Sequence, residues 1–162
     1  MDIQDAVLIL RESLYWIIVF SVFLIYAMVR GKQSLINLIL GLYLALLISL
    51  KFPYYDAILG GAATDGTMDS IIMIGLFTFF TLAATFLFSR LIPRDFDDTA
   101  FRGLWKKVVF AALASVLVMA FSYHVLPITD LITPGSPIQA LFGPQDRFFW
   151  WLLAPLVVLF FL

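Results

Sequence analysis

The chain has few ionisable side chains, and the stretch PRDFDDTAFRGLWKK at 93–107 holds seven of its 21 formally charged residues. Asp97 and Asp98 lie side by side there, and paired carboxylates are residues that acid–base catalysis can use. The alternative to a catalytic role is that this stretch forms only the hydrated surface of a membrane protein. In that interpretation Asp97, Asp98 or Thr99 caps the following helix, and Asp98 pairs with Arg102 four residues later.

The remaining candidates for catalysis or metal binding are sparse. The single histidine, His124, has only Asp130 nearby in sequence, which is far short of a ligand set for a metal. The chain contains no cysteine, which excludes disulfides, thiolate metal sites and thiol nucleophiles. No phosphate-binding glycine loop or serine triad pattern is present. We therefore expect a protein that is not an enzyme and that needs no cofactor and no metal.

Hydroxyl and amide side chains form the second candidate set. Three threonines at i, i+3 and i+7 share one face of a helix, and two serines lie on a small-residue face of the next helix. Such residues usually permit close helix packing in lipid, although they could also line a polar path between protomers. The candidate residues for packing or for a path are Asn37, Thr78, Thr81, Thr85, Ser115 and Ser122.

The overall composition places these residues in a lipid environment. Hydrophobic residues make up 63% of the chain and charged residues 13%, about half the charged content of an average soluble domain. The formal net charge of −1 gives no electrostatic reason to expect nucleic acid as a partner. We expect the lipid bilayer itself to be the main partner, together with other membrane proteins or further copies of this chain.

Apolar segment lengths predict an all-α, polytopic integral membrane helix bundle forming a single membrane domain over residues 1–162. About 20 apolar residues are needed to cross the hydrocarbon layer. The predicted spans are 13–29, 33–51, 70–90 and 105–126. A fifth segment, 148–162, is short and contains Pro155, so it is predicted to be a short span, kinked or re-entrant.

The connections between the second and third spans and between the fourth and fifth segments differ in character. The glycine-rich stretch 56–69 reads as a flexible connector that ends in a helix cap at Asp69. The stretch 127–146 has a capping serine at Ser136, followed by a proline suited to the first position of a helix. It therefore predicts a short helix at 137–142 on the outer membrane surface.

Charge bias and aromatic residues together predict the orientation. The links after the first span and before the fourth span carry seven of the ten basic residues, whereas seven of the ten Tyr and Trp residues fall at the opposite boundary. The basic links are therefore expected in the cytoplasm and the N-terminus outside. The residues expected to anchor or dock at the cytoplasmic interface are Arg30, Lys32, Arg94, Arg102, Trp105, Lys106 and Lys107.

The hairpin IYAMVRGKQSLINLILGLYLALLISLKFPYYD at 25–56 carries a family resemblance. Arg30-Gly31 after the first helix, Gly41 within the second, and Asp98 with Arg102-Gly103 before the fourth resemble features of the colicin V production protein family. The resemblance covers about residues 10–126 and leaves 127–162 without a counterpart. It implies a bacterial inner (plasma) membrane protein linked to toxin production or export, or to envelope maintenance, without known catalysis.

Three functions remain after these considerations. The leading hypothesis is a non-enzymatic scaffold or accessory subunit of a membrane assembly, formed with itself or with other membrane proteins. The alternative is a small channel or transporter subunit with a hydroxyl-lined path, and a membrane enzyme comes third. No Asp, Glu, Lys, Arg or His lies in the central part of a predicted span, and this disfavours proton relays and many ion-coupled mechanisms.

Overall fold

A computed structural model of the chain describes residues 3–58, 66–92, 104–125 and 137–161. These residues form helices and no strand, which confirms the all-α prediction. The helices are α1 (Ile3–Lys51), α2 (Tyr55–Ile58), α3 (Gly66–Leu91), α4 (Leu104–His124), α5 (Pro137–Phe142) and α6 (Gln145–Phe161).

Four helical segments within the described ranges are long and apolar enough to cross a membrane. They are Ser13–Gly31, Gln33–Lys51, Met68–Leu91 and Leu104–His124. They correspond to the four predicted spans, so the expectation of a multi-pass integral membrane protein is confirmed at this level. The fifth segment, α6, has 17 residues, or about 25 Å of helix, which is shorter than the roughly 30 Å hydrocarbon layer.

Gly31 divides α1 into two arms, residues 3–30 and 32–51. Its backbone has φ 79° and ψ −179°, a conformation that is essentially restricted to glycine. A single residue thus replaces a longer loop between the first two spans. The predicted break at residues 30–32 lies at this position.

Contacts near one end of the bundle show that the helices alternate in direction. Phe52, just after the second arm of α1, has its ring centroid 5.6 Å from that of Phe80 in α3. Phe77 in α3 stacks on Phe121 of α4 with centroids 3.8 Å apart. Tyr15 in the first arm is 3.1 Å from Ser122 of α4, hydroxyl to hydroxyl. The start of the first arm and the end of the second therefore lie at the same end of the bundle, and Gly31 lies at the other.

The core lies mainly between the second arm of α1 and α4. Both contribute rows of buried Leu, Ile, Phe and Ala side chains at helical spacing, including Leu35, Ile39, Leu46, Phe110 and Leu117. Among the described elements, α1 packs against both α3 and α4, and α6 packs against α4. The second arm and α4 thus form the central pair of the bundle, and α6 joins it mainly through α4.

Two local expectations require correction. Asp69 does not cap α3 from outside, because the helix begins at Gly66 and Asp69 lies in its first turn. At that position the helix dipole still stabilises a carboxylate. The last helix begins at Gln145 rather than at 148, since three polar residues form its first turn. The short helix at 137–142 is present over the expected residues, whereas Ser136 lies outside the described ranges.

Candidate functional site

The second arm of α1 approaches α3 closely at Gly41. A side-chain carbon on Gly41 would collide with the hydroxyl of Thr85, and it would lie 3.0 Å from the backbone nitrogen of Thr85 and 3.1 Å from the carbonyl oxygen of Thr81. The glycine hydrogen therefore points directly at polar atoms of α3, in the geometry of a Cα–H···O contact between helices. We call Gly41, Thr81 and Thr85 the packing seam.

The three threonines do not share one environment. Thr81 is buried and donates its hydroxyl to the carbonyl of Phe77 at 2.8 Å. Thr78 makes the equivalent bond to Ile74 at 2.8 Å but is exposed, so it lies outside the packing seam. Thr85 has a buried hydroxyl without a hydrogen-bond partner among the described residues.

The unpaired hydroxyl of Thr85 is the most distinctive polar feature of the seam. A buried hydroxyl without a partner costs about 1–3 kcal/mol relative to one that is bonded. Thr78 and Thr81 relieve that cost by bonding the carbonyl four residues back, which is a common arrangement in apolar helices. The close approach of Gly41 thus accompanies a polar atom left unsatisfied at the contact.

The two serines of α4 are both buried but act differently. Ser115 is fully buried and donates to the carbonyl of Ala111 at 2.8 Å, a bond inside its own helix. Ser122 donates to the carbonyl of Val118 at 3.0 Å. Because a serine hydroxyl has one proton, the hydroxyl of Tyr15 must be the donor in the 3.1 Å contact with Ser122.

Asn37 is buried, and its recorded hydrogen bond lies within its own helix. The amide nitrogen of Gln33 donates to the side-chain oxygen of Asn37 at 3.4 Å. The sequence placed Asn37 among the candidates for helix packing or for a path, whereas this bond joins two residues of the same helix. It lies four residues before Gly41, on the same side of the second arm.

A second polar cluster, the α5 clasp, consists of His124, Arg147 and Trp151. These side chains bond three successive carbonyls at the C-terminal end of α5, which lack partners inside so short a helix. Arg147 Nη1 donates to Ala140 O at 2.9 Å and Trp151 Nε1 donates to Leu141 O at 3.0 Å, while His124 Nε2 lies 2.9 Å from Phe142 O.

Ring contacts reinforce the clasp. His124 lies over Phe148 with centroids 4.1 Å apart, and Phe142 lies between Trp151 at 4.7 Å and Tyr123 at 6.0 Å. Phe142 itself is buried. The short helix is therefore fixed to the ends of α4 and α6, which sequence reasoning missed because no pattern links His124 to residues 18 or more positions away.

The basic end of the bundle is only partly within the described residues. Arg30 is exposed, Trp105 is 74% exposed, and Lys106 and Lys107 are half-buried at the start of α4. Arg94, Arg102, Asp97 and Asp98 lie outside the described ranges, as does the side chain of Lys32. Arg90, at the end of α3, lies 5.1 Å from the ring centroid of Phe86 in a cation–π contact.

Arg30 and Lys106 lie at the same end of the bundle. Tyr15 and Ser122 mark the opposite end, and the two basic residues are 15 and 16 positions away from them along their helices. At about 1.5 Å per residue, each is removed by more than 20 Å. The positive-inside argument requires the two basic links to lie on the same side of the membrane, and the positions of Arg30 and Lys106 agree with that requirement.

The described residues supply helix contacts and little that resembles a reaction centre. No group of three or more His, Asp or Glu side chains within them could hold a metal ion. Comparison with protein-family models, with curated proteins and with solved structures finds no match for the chain. Its function must therefore be argued from its own helices.

Proposed function

We propose that this protein is a non-enzymatic integral membrane protein that acts as a scaffold or accessory subunit, assembling with itself or with other membrane proteins. The observation that carries the proposal is the first arm of α1. Only 6% of the residues in its most apolar window are buried within one copy, against 44% in each of the second and fourth spans.

The exposed surface of the first arm is continuous. Its exposed large apolar residues recur at helical spacing along the whole span and form what we call the outer stripe: Leu10, Leu14, Ile17, Ile18, Val22, Ile25, Met28 and Val29. A helix attached to its bundle by so little buried surface gains most from a further packing partner in the membrane. The outer stripe is therefore the proposed assembly surface.

The absence of cysteine from the chain makes a direct test simple. In Val22→Cys and Ile25→Cys variants, a benzophenone maleimide attached to the new thiol should yield, after irradiation in native membranes, one discrete adduct mass. That mass corresponds to a second copy or to one other membrane protein. Native mass spectrometry of the extracted complex should give the same stoichiometry.

Leu82→Cys is the matched control for random collision. Leu82 is 63% exposed on α3, comparable with Val22 at 56% and Ile25 at 62%. Protein adducts at the outer stripe should clearly exceed those at the control position. Adducts to lipid alone, or equal protein adducts at all three positions, would contradict the proposed surface.

The family resemblance and the charge bias extend this proposal. They favour a bacterial inner membrane, an N-terminus outside, and an assembly that serves toxin production or export, or envelope maintenance. A membrane-impermeant maleimide applied to intact cells should then label a Tyr54→Cys variant and spare Arg30→Cys and Lys106→Cys. Labelling of only one of the two basic positions would contradict the topology.

One observation favours the alternative function, a channel or transporter subunit. The Thr85 hydroxyl is buried without a partner among the described residues, so its donor is available to a solute, although the close contact with Gly41 leaves no open space on that side of it. Against this, Thr81 and Ser115 direct their hydroxyls to carbonyls of their own helices. Flux of ions or small solutes into liposomes that falls in Thr85→Val but not in Thr78→Val would support the alternative.

A further inference from the structure

The first arm of α1 is attached to the bundle unevenly along its length. Its contacts with the hydrophobic core come from Phe23, Tyr26 and Ala27, which all lie within eight residues of Gly31. Ala27 is fully buried. Among the described residues, none from 13–22 belongs to that core or packs against it. The arm is therefore fixed near Gly31, whereas its outer half, residues 13–22, rests on the surface of the bundle.

A hydrogen bond joins the outer half to α4, and breaking it leaves no buried donor unpaired. The hydroxyl of Tyr15 donates to that of Ser122 at 3.1 Å. Ser122 donates its own proton to Val118 O at 3.0 Å, a bond inside α4 that does not involve Tyr15. The Tyr15 side chain is 46% exposed and lies two residues inside the apolar segment, where water or lipid headgroups can accept its proton. Separation from α4 thus avoids the cost of a buried polar group without a partner.

The backbone at Gly31 suits the axis of such a separation. Gly31 is the one residue between the two arms of α1, at φ 79° and ψ −179°. Glycine adopts positive and negative φ about equally readily, and hinges are formed by a few residues at the ends of elements that absorb changes in φ and ψ. A side-chain carbon on Gly31 would meet nothing within 4 Å, so the space on that side of the corner is open.

From these observations we infer that the first arm is a hinged element, which opens by tilting about Gly31 and is held closed by the Tyr15–Ser122 bond. Opening moves the outer half away from α4 and exposes the surface around Ser122 to the membrane. The residues that contact the core lie near the axis and stay in place. The motion occurs within one copy, so it does not rest on the proposed assembly.

A rigid arm that tilts about Gly31 moves each residue in proportion to its distance from that glycine. At about 1.5 Å per residue, Met28 lies about 5 Å, Val22 about 14 Å and Leu14 about 26 Å from it along the helix. A tilt that displaces Leu14 by about 8 Å therefore displaces Val22 by about 4 Å and Met28 by about 1.5 Å. This gradient distinguishes a tilt about Gly31 from a general loosening of the arm.

Double electron–electron resonance between two nitroxide labels measures these displacements. The chain has no cysteine of its own, so each pair of introduced cysteines is labelled uniquely. The full-length protein is reconstituted in phospholipid nanodiscs, with labelled chains diluted by unlabelled ones so that distances between copies do not contribute. Each pair joins an exposed residue of the arm to an exposed residue of α3: Leu14→Cys with Ile74→Cys, Val22→Cys with Leu82→Cys, and Met28→Cys with Leu91→Cys.

Each pair should give one dominant distance in the native background. Tyr15→Phe keeps the aromatic ring but removes the donor. It should raise the ratio of open to closed arms roughly threefold, the effect of a typical hydrogen bond between membrane helices. The open arms should appear as a second distance for the Leu14 pair, as a smaller shift for the Val22 pair, and as no resolved change for the Met28 pair.

Two further variants make the result independent of a single substitution. Ser122→Ala removes the acceptor and should have the same effect as Tyr15→Phe. Tyr26→Phe is the matched control, because it removes a tyrosine hydroxyl from the same arm at a position that packs against the core near Gly31. It should leave all three distance distributions unchanged.

Three results would overturn the inference. Native distances for the Leu14 pair in both Tyr15→Phe and Ser122→Ala would show that the bond does not hold the arm closed. Changes of equal size in all three pairs would show general loosening instead of a tilt about Gly31. The same change in Tyr26→Phe would show that any lost hydroxyl loosens the arm. Since these distances are measured within one copy, they are separate from the crosslinking that tests the outer stripe.

Discussion

Gly41 and Thr85 meet between the second arm of α1 and α3 with no room for a methyl group between them. The contact lies within two of the four membrane-crossing segments, so it sets the distance between their axes. Helix association in lipid depends on close backbone approach more than on apolar surface, because the tails offer equivalent surface to every helix. We therefore expect the packing seam to contribute more to the stability of the bundle than its small number of residues would suggest.

Gly41→Ala should destabilise the bundle by about 1–3 kcal/mol, as extra volume in a tight contact does. The cost should be smaller in a Thr85→Ala background, where one of the colliding atoms is absent, although Thr85 N and Thr81 O remain close. The free energy of unfolding, measured by SDS titration in mixed micelles, tests this. Equal costs in both backgrounds would contradict a direct contact.

Gly31→Ala should also be destabilising, but for a different reason. An added side-chain carbon would meet nothing within 4 Å, so any cost comes from forcing alanine to φ 79° and ψ −179°, about 1–3 kcal/mol. Gly75 has equally open surroundings and no positive φ, and Gly75→Ala should be neutral or stabilising by up to about 1 kcal/mol.

The same SDS titration compares these two glycine variants. A loss of stability in Gly31→Ala that is absent in Gly75→Ala isolates the backbone effect, because neither change adds a steric contact within one copy. Similar behaviour of the two variants would show that the corner between the arms adjusts readily to alanine.

The lengths and limits of the spans could be predicted because they follow from apolar composition alone. The residues that meet across helices could not. The sequence singled out Gly41 only as part of a family resemblance, and the relative rotation of two helices is what places it against Thr85 rather than toward lipid. Hydroxyl spacing on α3 likewise grouped Thr78 with Thr81, although the structure exposes one and buries the other.

The hydrogen bond between Tyr15 and Ser122 should couple the first arm of α1 to α4. Tyr15→Phe and Ser122→Ala should each cost stability, and the double variant should cost less than the sum by about 0.6 kcal/mol, a typical value for bonds between membrane helices. The double-mutant cycle is measured by SDS titration. Strictly additive effects would show that the 3.1 Å contact contributes nothing.

The α5 clasp offers a prediction with an adjacent control. Trp151→Phe keeps an aromatic ring near Phe142, 4.7 Å away in the native chain, but removes the Nε1 donor to Leu141 O. Trp150, one position earlier, is 64% exposed and makes an edge contact with Phe149. Trp150→Phe is therefore the control. Like Trp151→Phe it replaces an indole by a smaller aromatic ring, so the two variants differ mainly in the loss of the hydrogen bond to α5.

Hydrogen exchange of the amides of residues 138–142 should therefore accelerate in Trp151→Phe and stay unchanged in Trp150→Phe. A net hydrogen bond of this kind contributes about 0.5–1.5 kcal/mol, so roughly a two- to tenfold faster exchange is expected in the EX2 limit. His124 and Arg147 still bond the neighbouring carbonyls, which should keep α5 docked rather than released. Equal acceleration in both variants would mean that general packing of indole rings, rather than the clasp, holds α5 against α4 and α6.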